Sequence, residues 1–468
     1  MSSIHIMDIT TIRSSLYRES PREHGYEALR VDGVLPESLS GTLVRNGPGE
    51  FAPFGRLYGH LFEGQGALTA VRFGGGRAEG AHRLIESPGL HEERAAGRPL
   101  YGSLASRPRR IANALRRRDK NAANVNVLAW QGRLFGLRDL ARPIEVSRET
   151  LATIGETDLE GVVPDGFSAH PHAVAARGAV YSFAVRFGRE TLLDLVELPA
   201  CGSPRRLGSV PIPATLIHDF AATERHLVFF LGPARIAVLR ALLGDARPER
   251  LVRFDPAEPG EVVAVPIDEP GRAVRFPLDP FFVWHYVNAF ERGGELVVDY
   301  VRHPDAGAIA TMRAEAVWDG AVVGMDLGEL HRATIDLRAG RWRSERVAGA
   351  PCEFPRVDSR GEGGVRRYVW LTATERGRLS IARVDLETGA TRTWTPSAGQ
   401  HVSEAVFAPR PDGAAETDGF ALVLVYDEAT DASHVAVLDA RAPEDGPVAR
   451  AYFAHHVPLT LHGTFVPA

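Results

Sequence analysis

Four histidines carry the strongest chemical signal in this sequence. His170 lies in GFSAHPHA, His218 in ATLIHDFAAT, His285 in FFVWHYVNAFE and His462 in PLTLHGTFVP. Each stands at or beside the end of an apolar run, where a strand of a radial fold can aim its side chain at a common axis. Neutral imidazole suits iron, with copper and zinc as competitors. The spacing is no metal signature by itself, because ligands on one helix or knuckle recur every few residues. A propeller gathers its ligands from successive blades, so wide dispersal is what that architecture predicts. His172, His303, His455 and His456 fit no ligand pattern and read as ordinary residues.

Other chemistries find little support. Lys120 is the only lysine, and its cluster RRRDK reads as solvated, whereas Schiff-base chemistry needs a shielded amine. Cys201 and Cys352 are the only cysteines. Two distant thiols exclude a disulfide framework and a thiolate-rich metal site, and they fit a reducing, cytoplasmic setting. Nucleotide-loop, zincin and nucleophile-elbow patterns are absent. A net charge of −5 argues against a general nucleic-acid binder. The N-terminal stretch lacks the basic and apolar regions of a signal peptide, and no apolar run approaches the ~20 residues of a membrane span.

The elements that must position the histidines read as strands. RLFGLRDL, AVYSFAVRF, RHLVFFLG, GELVVDYVRH, RYVWLTAT and GFALVLVYD are short, rich in aromatic and β-branched residues, and bounded by turn formers. They recur without alternating helices, which disfavours a doubly wound fold. DLRAG at 336–340 and DLETG at 385–389 each end one strand and open another, as a radially repeated hairpin requires. This degenerate repeat does not count blades, and a large β-sandwich or two stacked barrels remain the alternatives. No linker divides the chain, so residues 1–468 read as one domain. Two segments read as helices, 107–118 (RPRRIANALRRR) and 233–243 (PARIAVLRALL). Either both are surface helices, one docked on the core, or they form a lipid-facing rim, since basic beside apolar residues suits an anionic membrane.

In order along the chain come GTLVRNGPG at 41–49, GHLFEGQGAL at 59–68, NVNV at 124–127, LRDLARP, the segments of His170, His218 and His285, CEFPRVD, SEAVFAPR and, last, LHGTF with His462. Together these resemble the carotenoid cleavage oxygenase family over nearly the whole chain. The resemblance implies an all-β, seven-bladed propeller with a helical cap over an axial Fe(II). It places the iron ligands at His170, His218, His285 and His462. Family members back their ligands with three glutamates; two fall on Glu353 and Glu404, and the third falls on Asp139, a shorter acid. The histidine contact at Asp139 is therefore expected to be stretched, water-bridged or restored by backbone movement. Val125 matches a position whose methyl group partly blocks an open iron site in relatives. Arg138 stands where stilbene-cleaving relatives tend to carry a phenol-binding lysine, and arginine is no simple replacement for it.

The implied reaction is cleavage of one C=C bond of an apolar conjugated substrate by O₂, yielding two carbonyl products. Tyr101, Phe281 and Trp284 are candidate lining aromatics. A phenolic stilbene is the alternative substrate, and a propeller that binds a ligand without turnover is the alternative outside enzymes. Glu63, Gln65, Ala67 and Phe465 depart from the family motifs and bear on pocket shape.

Overall fold

The computed structural model describes residues 18–313 and 327–468; the N-terminal stretch read for targeting signals lies almost wholly outside them. Seven antiparallel sheets of four or five strands form a seven-bladed β-propeller, with one extra two-stranded ribbon. The innermost strands of successive blades are His462–Pro467, Asn126–Trp130, His172–Val174, Ala221–Ala222, Phe282–Arg292, Cys352–Arg356 and Gln400–Pro409. Two blades mix distant parts of the chain. Strand Gly41–Glu50 of the first blade pairs with His462–Pro467, with Asn46 opposite His462. Strand Arg30–Gly33 adds to the outer edge of the last blade, opposite Pro447–Tyr452.

Each sheet presses a neighbour on both faces, so central strands read as unbroken apolar runs rather than as alternating ones. Gly419–Asp427, GFALVLVYD, is buried at every position except its last. The core is correspondingly a set of wedges between blades. In one of them Val228, Phe230 and Val262 of the fourth blade meet Tyr286, Val298 and Tyr300 of the fifth. The aspartate–glycine hairpins form as read. Asp336 accepts from the amides of Arg338 and Ala339, and Asp385 from those of Glu387 and Thr388. Gly340 and Gly389 close these turns at φ +61° and +71°, where a Cβ is disfavoured.

The cap includes two helices, α1 (Arg107–Leu115) and α2 (Val238–Leu242). The expected helix over 233–243 is thus only partly formed. Ala234–Ile236 is instead a strand, paired with Val252–Phe254 in the extra ribbon. A short apolar run with β-branched Ile236 fits either period, and the ribbon partner decides it. Arg110 joins the two helices, donating to Gly244 O at 2.7 Å as well as to Ser103 O and Ala105 O.

One buried histidine makes acid stability testable. His434 is 1% exposed and packs on the Tyr452 ring, and neither of its nitrogens has a hydrogen-bond partner. Burial, then Arg450, lowers its pKa to about 4. The unfolded chain takes up this proton near pH 6.5, so stability from the site is lost as pH falls from about 6.5 to about 4. His434→Phe is expected to flatten that acid limb by up to about 3 kcal/mol. Urea denaturation of both proteins at pH 7.5 and 5 checks it. Any packing cost of the larger ring is the same at both pH values, so parallel pH dependence in the two proteins refutes the assignment.

Candidate metal centre

The four histidines converge from four different blades. His285 lies within its innermost strand and His462 begins one, while His170 and His218 stand just before theirs. The His170 ring centroid lies 4.3 Å from that of His218, 4.7 Å from His462 and 5.0 Å from His285. One nitrogen from each ring falls within 4.8 Å of all the others, and all four residues are buried.

Carboxylates fix the tautomers. His218 Nδ1 donates to Asp139 Oδ2 at 2.7 Å, His462 Nδ1 to Glu404 Oε1 at 2.9 Å, and His285 Nδ1 to Glu353 Oε2. An ionised carboxylate only accepts, so these rings carry their proton on Nδ1 and offer the Nε2 lone pair. Nε2 of His170 and of His285 is buried without any hydrogen-bond partner. Buried ring nitrogens without a partner, one of them on the His285 ring that Glu353 holds, are what a metal ion satisfies. The donor set is all imidazole, which suits iron, copper or zinc.

The electrostatics agree at two of the four rings. Burial, then the neighbouring imidazoles, holds His170 well below the ordinary histidine range, and burial lowers His462 to about 4. Both are neutral, as ligands must be. At His218 burial acts downward, but the charge and hydrogen bond of Asp139 outweigh it and raise the pKa. Burial would raise Glu404, yet Arg356, His462 and Arg45 bring it down to about 2. Glu353 is lowered in the same way, chiefly by His285.

Asp139 reaches His218 directly, so its shorter side chain leaves neither a stretched contact nor a bridging water. The chain turns just after strand Arg133–Leu137, with Leu140 at φ +61° and bonded through its amide to Phe167 O. The second oxygen of Asp139 accepts from the Ala169 amide at 2.8 Å, one residue before His170.

The remaining candidates scatter. Val125 is buried, and its carbonyl accepts the His462 amide at 3.2 Å. Trp284 stands edge-on to the His218 ring at 5.1 Å. Tyr101 and Arg138 line a cavity of about 470 Å³ under the cap, together with Tyr58, Phe62, Lys120 and α1 residues. Phe281 lies elsewhere, packed between blades against Tyr300 and Trp342.

Lys120, read as solvated, is not, and two histidines read as outside the ligand set bond carboxylates around the centre. Lys120 is buried, donating to Tyr58 Oη and pairing with Glu93 at 3.2 Å. Its sequence neighbours are solvated arginines, but its partners lie 62 and 27 residues away, beyond any local pattern. His303 donates from Nε2 to Glu353 Oε1 at 2.9 Å, so one carboxylate serves two histidines. His172 lies between Asp219 and Glu362. Phe354 was not singled out at all. Its ring stacks on His285 at 5.5 Å and lies 5.2 Å from His462, on a backbone at φ +54°. Its place directly after Glu353 was the available signal.

The chain matches the family model of the retinal pigment epithelial membrane protein over residues 17–467. It is a carotenoid cleavage oxygenase by family. Carotenoid cleavage oxygenases similar to it include the apocarotenoid-15,15'-oxygenase of Synechocystis sp., 32% identical over 96% of this chain and 95% of that protein. Lignostilbene-alpha,beta-dioxygenase isozyme III of Sphingomonas paucimobilis is 27% identical, covering 94% of each. The solved structure of a cobalt-substituted Synechocystis apocarotenoid oxygenase matches with a TM-score of 0.88 at 30% identity, over 97% of this chain and 99% of that one. Carotenoid cleavage oxygenases are non-haem iron enzymes that incorporate O₂, and the four-histidine set fits Fe(II).

Proposed function

We propose that this chain cleaves one C=C bond of a carotenoid or apocarotenoid with O₂, using Fe(II) held by His170, His218, His285 and His462. The observation that carries the reading is the inward convergence of four imidazoles, three of them locked from behind by carboxylates. Bound there, Fe(II) supplies O₂ binding and activation by electron donation. One O₂ and one double bond give two carbonyl groups, so the stoichiometry consumes no other reductant.

This chain's own residues do the rest. Asp139, Glu353 and Glu404 hold the rings in one tautomer and orientation. Trp284 and Phe354 supply apolar walls beside His218, His285 and His462. No side chain is assigned as a proton donor or acceptor, because the reaction needs neither. The cavity under the cap serves as the substrate's approach, and its depth selects the bond presented. Strands shared between the first and last blades support reading residues 1–468 as one propeller domain.

The test is product analysis. Anaerobically iron-loaded protein, given an apocarotenal and a phenolic stilbene in parallel, is expected to convert the apocarotenal to two carbonyl products. Arg138 Nη1 donates to Lys120 O and pairs with Asp119 at 3.0 Å, so that nitrogen is already engaged. Arg138→Ala is therefore expected to leave apocarotenal cleavage within a few-fold of wild type. Turnover of the stilbene alone, lost in that variant, favours the second substrate class; iron uptake without turnover of either favours a binding protein.

We also read the cap as a membrane-docking rim. Leu115 and Leu239 are 71% and 68% exposed, with Val238, Leu242 and Leu243 beside Leu239 and arginines along α1. No helix among the described residues is long and apolar enough to cross a membrane. Apolar knobs among cations fit an anionic lipid surface, where an apolar substrate resides. Each leucine gains about 1.5 kcal/mol on burial, so Leu239→Ser with Leu243→Ser is expected to weaken partition onto anionic vesicles roughly 100-fold. Equal flotation of both proteins would rule out the rim.

A further inference from the structure

The proposed centre contains a second tier of contacts that touches no ligand ring. His172 follows His170 by two residues, Asp219 follows His218 by one, and Tyr286 follows His285 by one. One carboxylate joins all three. Asp219 Oδ1 accepts from His172 Nε2 and from the Phe220 amide, each at 2.7 Å, and Oδ2 accepts from the Tyr286 amide at 2.8 Å. The other nitrogen of His172 meets Glu362 Oε1 at 2.6 Å, on the turn that follows the strand of Glu353. The Asp219 side chain is only 2% exposed. With both nitrogens facing carboxylates, the His172 ring donates twice.

We propose that the His172–Asp219 pair is a positioning brace that sets the spacing of three of the four metal-binding histidines. It links four successive blades, in the order Glu362, His172, Asp219 and the Tyr286 amide. The physical case is one of alternatives. The blades pack through apolar wedges, which are non-directional and let neighbouring sheets slide by fractions of an ångström. Hydrogen bonds to backbone amides directly beside the ligands do not tolerate such sliding, because their strength falls steeply with distance and angle. A metal ion is equally intolerant, since its bond lengths are fixed to a few tenths of an ångström. Asp139, Glu353 and Glu404 each bond a ligand ring directly, and Asp139 also accepts the Ala169 amide; the brace touches no ligand ring and ties only the segments that carry them. Losing Asp219 leaves the Phe220 and Tyr286 amides without their acceptor, beside the ligands themselves.

The inference rests on the metal reading, and the experiment separates the two. Full-length protein is stripped of metal and titrated with Co(II), whose visible d–d bands report ligand geometry, and with Fe(II) under argon. The comparison covers wild type, His172→Gln and Asp219→Asn, with His456→Gln as a control. His456 is a buried histidine whose Nε2 meets Glu19 O at 3.1 Å, and it lies far along the chain from the brace. His172→Gln and Asp219→Asn are expected to bind metal roughly 10- to 100-fold more weakly, the range seen when outer partners of ligands are removed. Their cobalt bands are expected to shift. The control is expected to lose thermal stability with its bands unchanged, which separates positioning from general loosening. Should Asp219→Asn fail to fold, His172→Gln carries the test, because it leaves both backbone amides bonded to Asp219. Wild type that binds no cobalt sinks the centre and the brace together. Wild type that binds, with unchanged affinity and bands in folded variants, sinks the brace alone.

Discussion

His462→Ala is expected to yield a folded protein that retains no iron through gel filtration and turns over no substrate. The strand that carries His462 is held by its backbone, paired through Asn46 and bonded to the Val125 carbonyl, so the ring is not needed for closure. Nor does removing the ring leave a buried charge alone, since Glu404 keeps Arg45 and the Gly463 amide as partners. Losing an outer partner of a ligand costs about 10- to 100-fold in metal affinity, and losing the ligand itself costs more. His218→Ala is expected to behave alike. Metal analysis and circular dichroism on both variants decide it, and full iron occupancy in either refutes the ligand assignment.

Arg45→Met is expected to be the most destabilising single change in the structure outside the apolar core. Arg45 and Glu404 are both almost wholly buried, and the guanidinium also bonds Thr460 and Leu461 O. Breaking a buried pair from one side strands the other charge, at about 3–5 kcal/mol. Arg356, at 3.8 Å from Glu404, offsets part of that. Glu404→Gln in the Arg45→Met background removes the stranded charge, so the double variant is expected to recover stability relative to Arg45→Met. The pH dependence follows from the lowered carboxylate, about 2 against an ordinary 4.5. Its contribution is complete above pH 4.5 and is lost as pH falls from there toward 2. That acid limb is expected to shrink in Arg45→Met. Urea titrations between pH 3 and 7 measure both effects, and a loss under about 1 kcal/mol would show that the pair is dispensable.

How much of this was legible beforehand differs from residue to residue. The strands declared themselves through composition and turns, because GFALVLVYD or DLETG forms the same element in almost any all-β context. The number of blades did not, since the hairpin repeat is too degenerate; only ordered motif similarity supplied it. The four ligand histidines were visible in context but lacked spacing, because the fold gathers them from separate blades. Asp139 was singled out in the sequence, while its direct contact with His218 lies beside a turn at Leu140 that one sequence does not specify. The carboxylate partners of His172 and His303 and the burial of Lys120 went unread for a shared reason. The partners of these three residues lie 47, 50 and 62 residues away, so nothing nearby marked them as engaged. Segment 233–243 was misread because the ribbon partner at Val252–Phe254 captured its first residues.

The sheet shared by the two ends of the chain has a consequence for biogenesis. One imidazole of the centre sits on the strand that closes the ring against residues 41–50. A nascent polypeptide on the ribosome can hold every strand of six blades and still lack both that imidazole and the annular geometry gathering the others. Iron loading therefore has to follow release of the strand at 462–467 from the exit tunnel, and a translation product stalled short of it would be metal-free as well as unclosed.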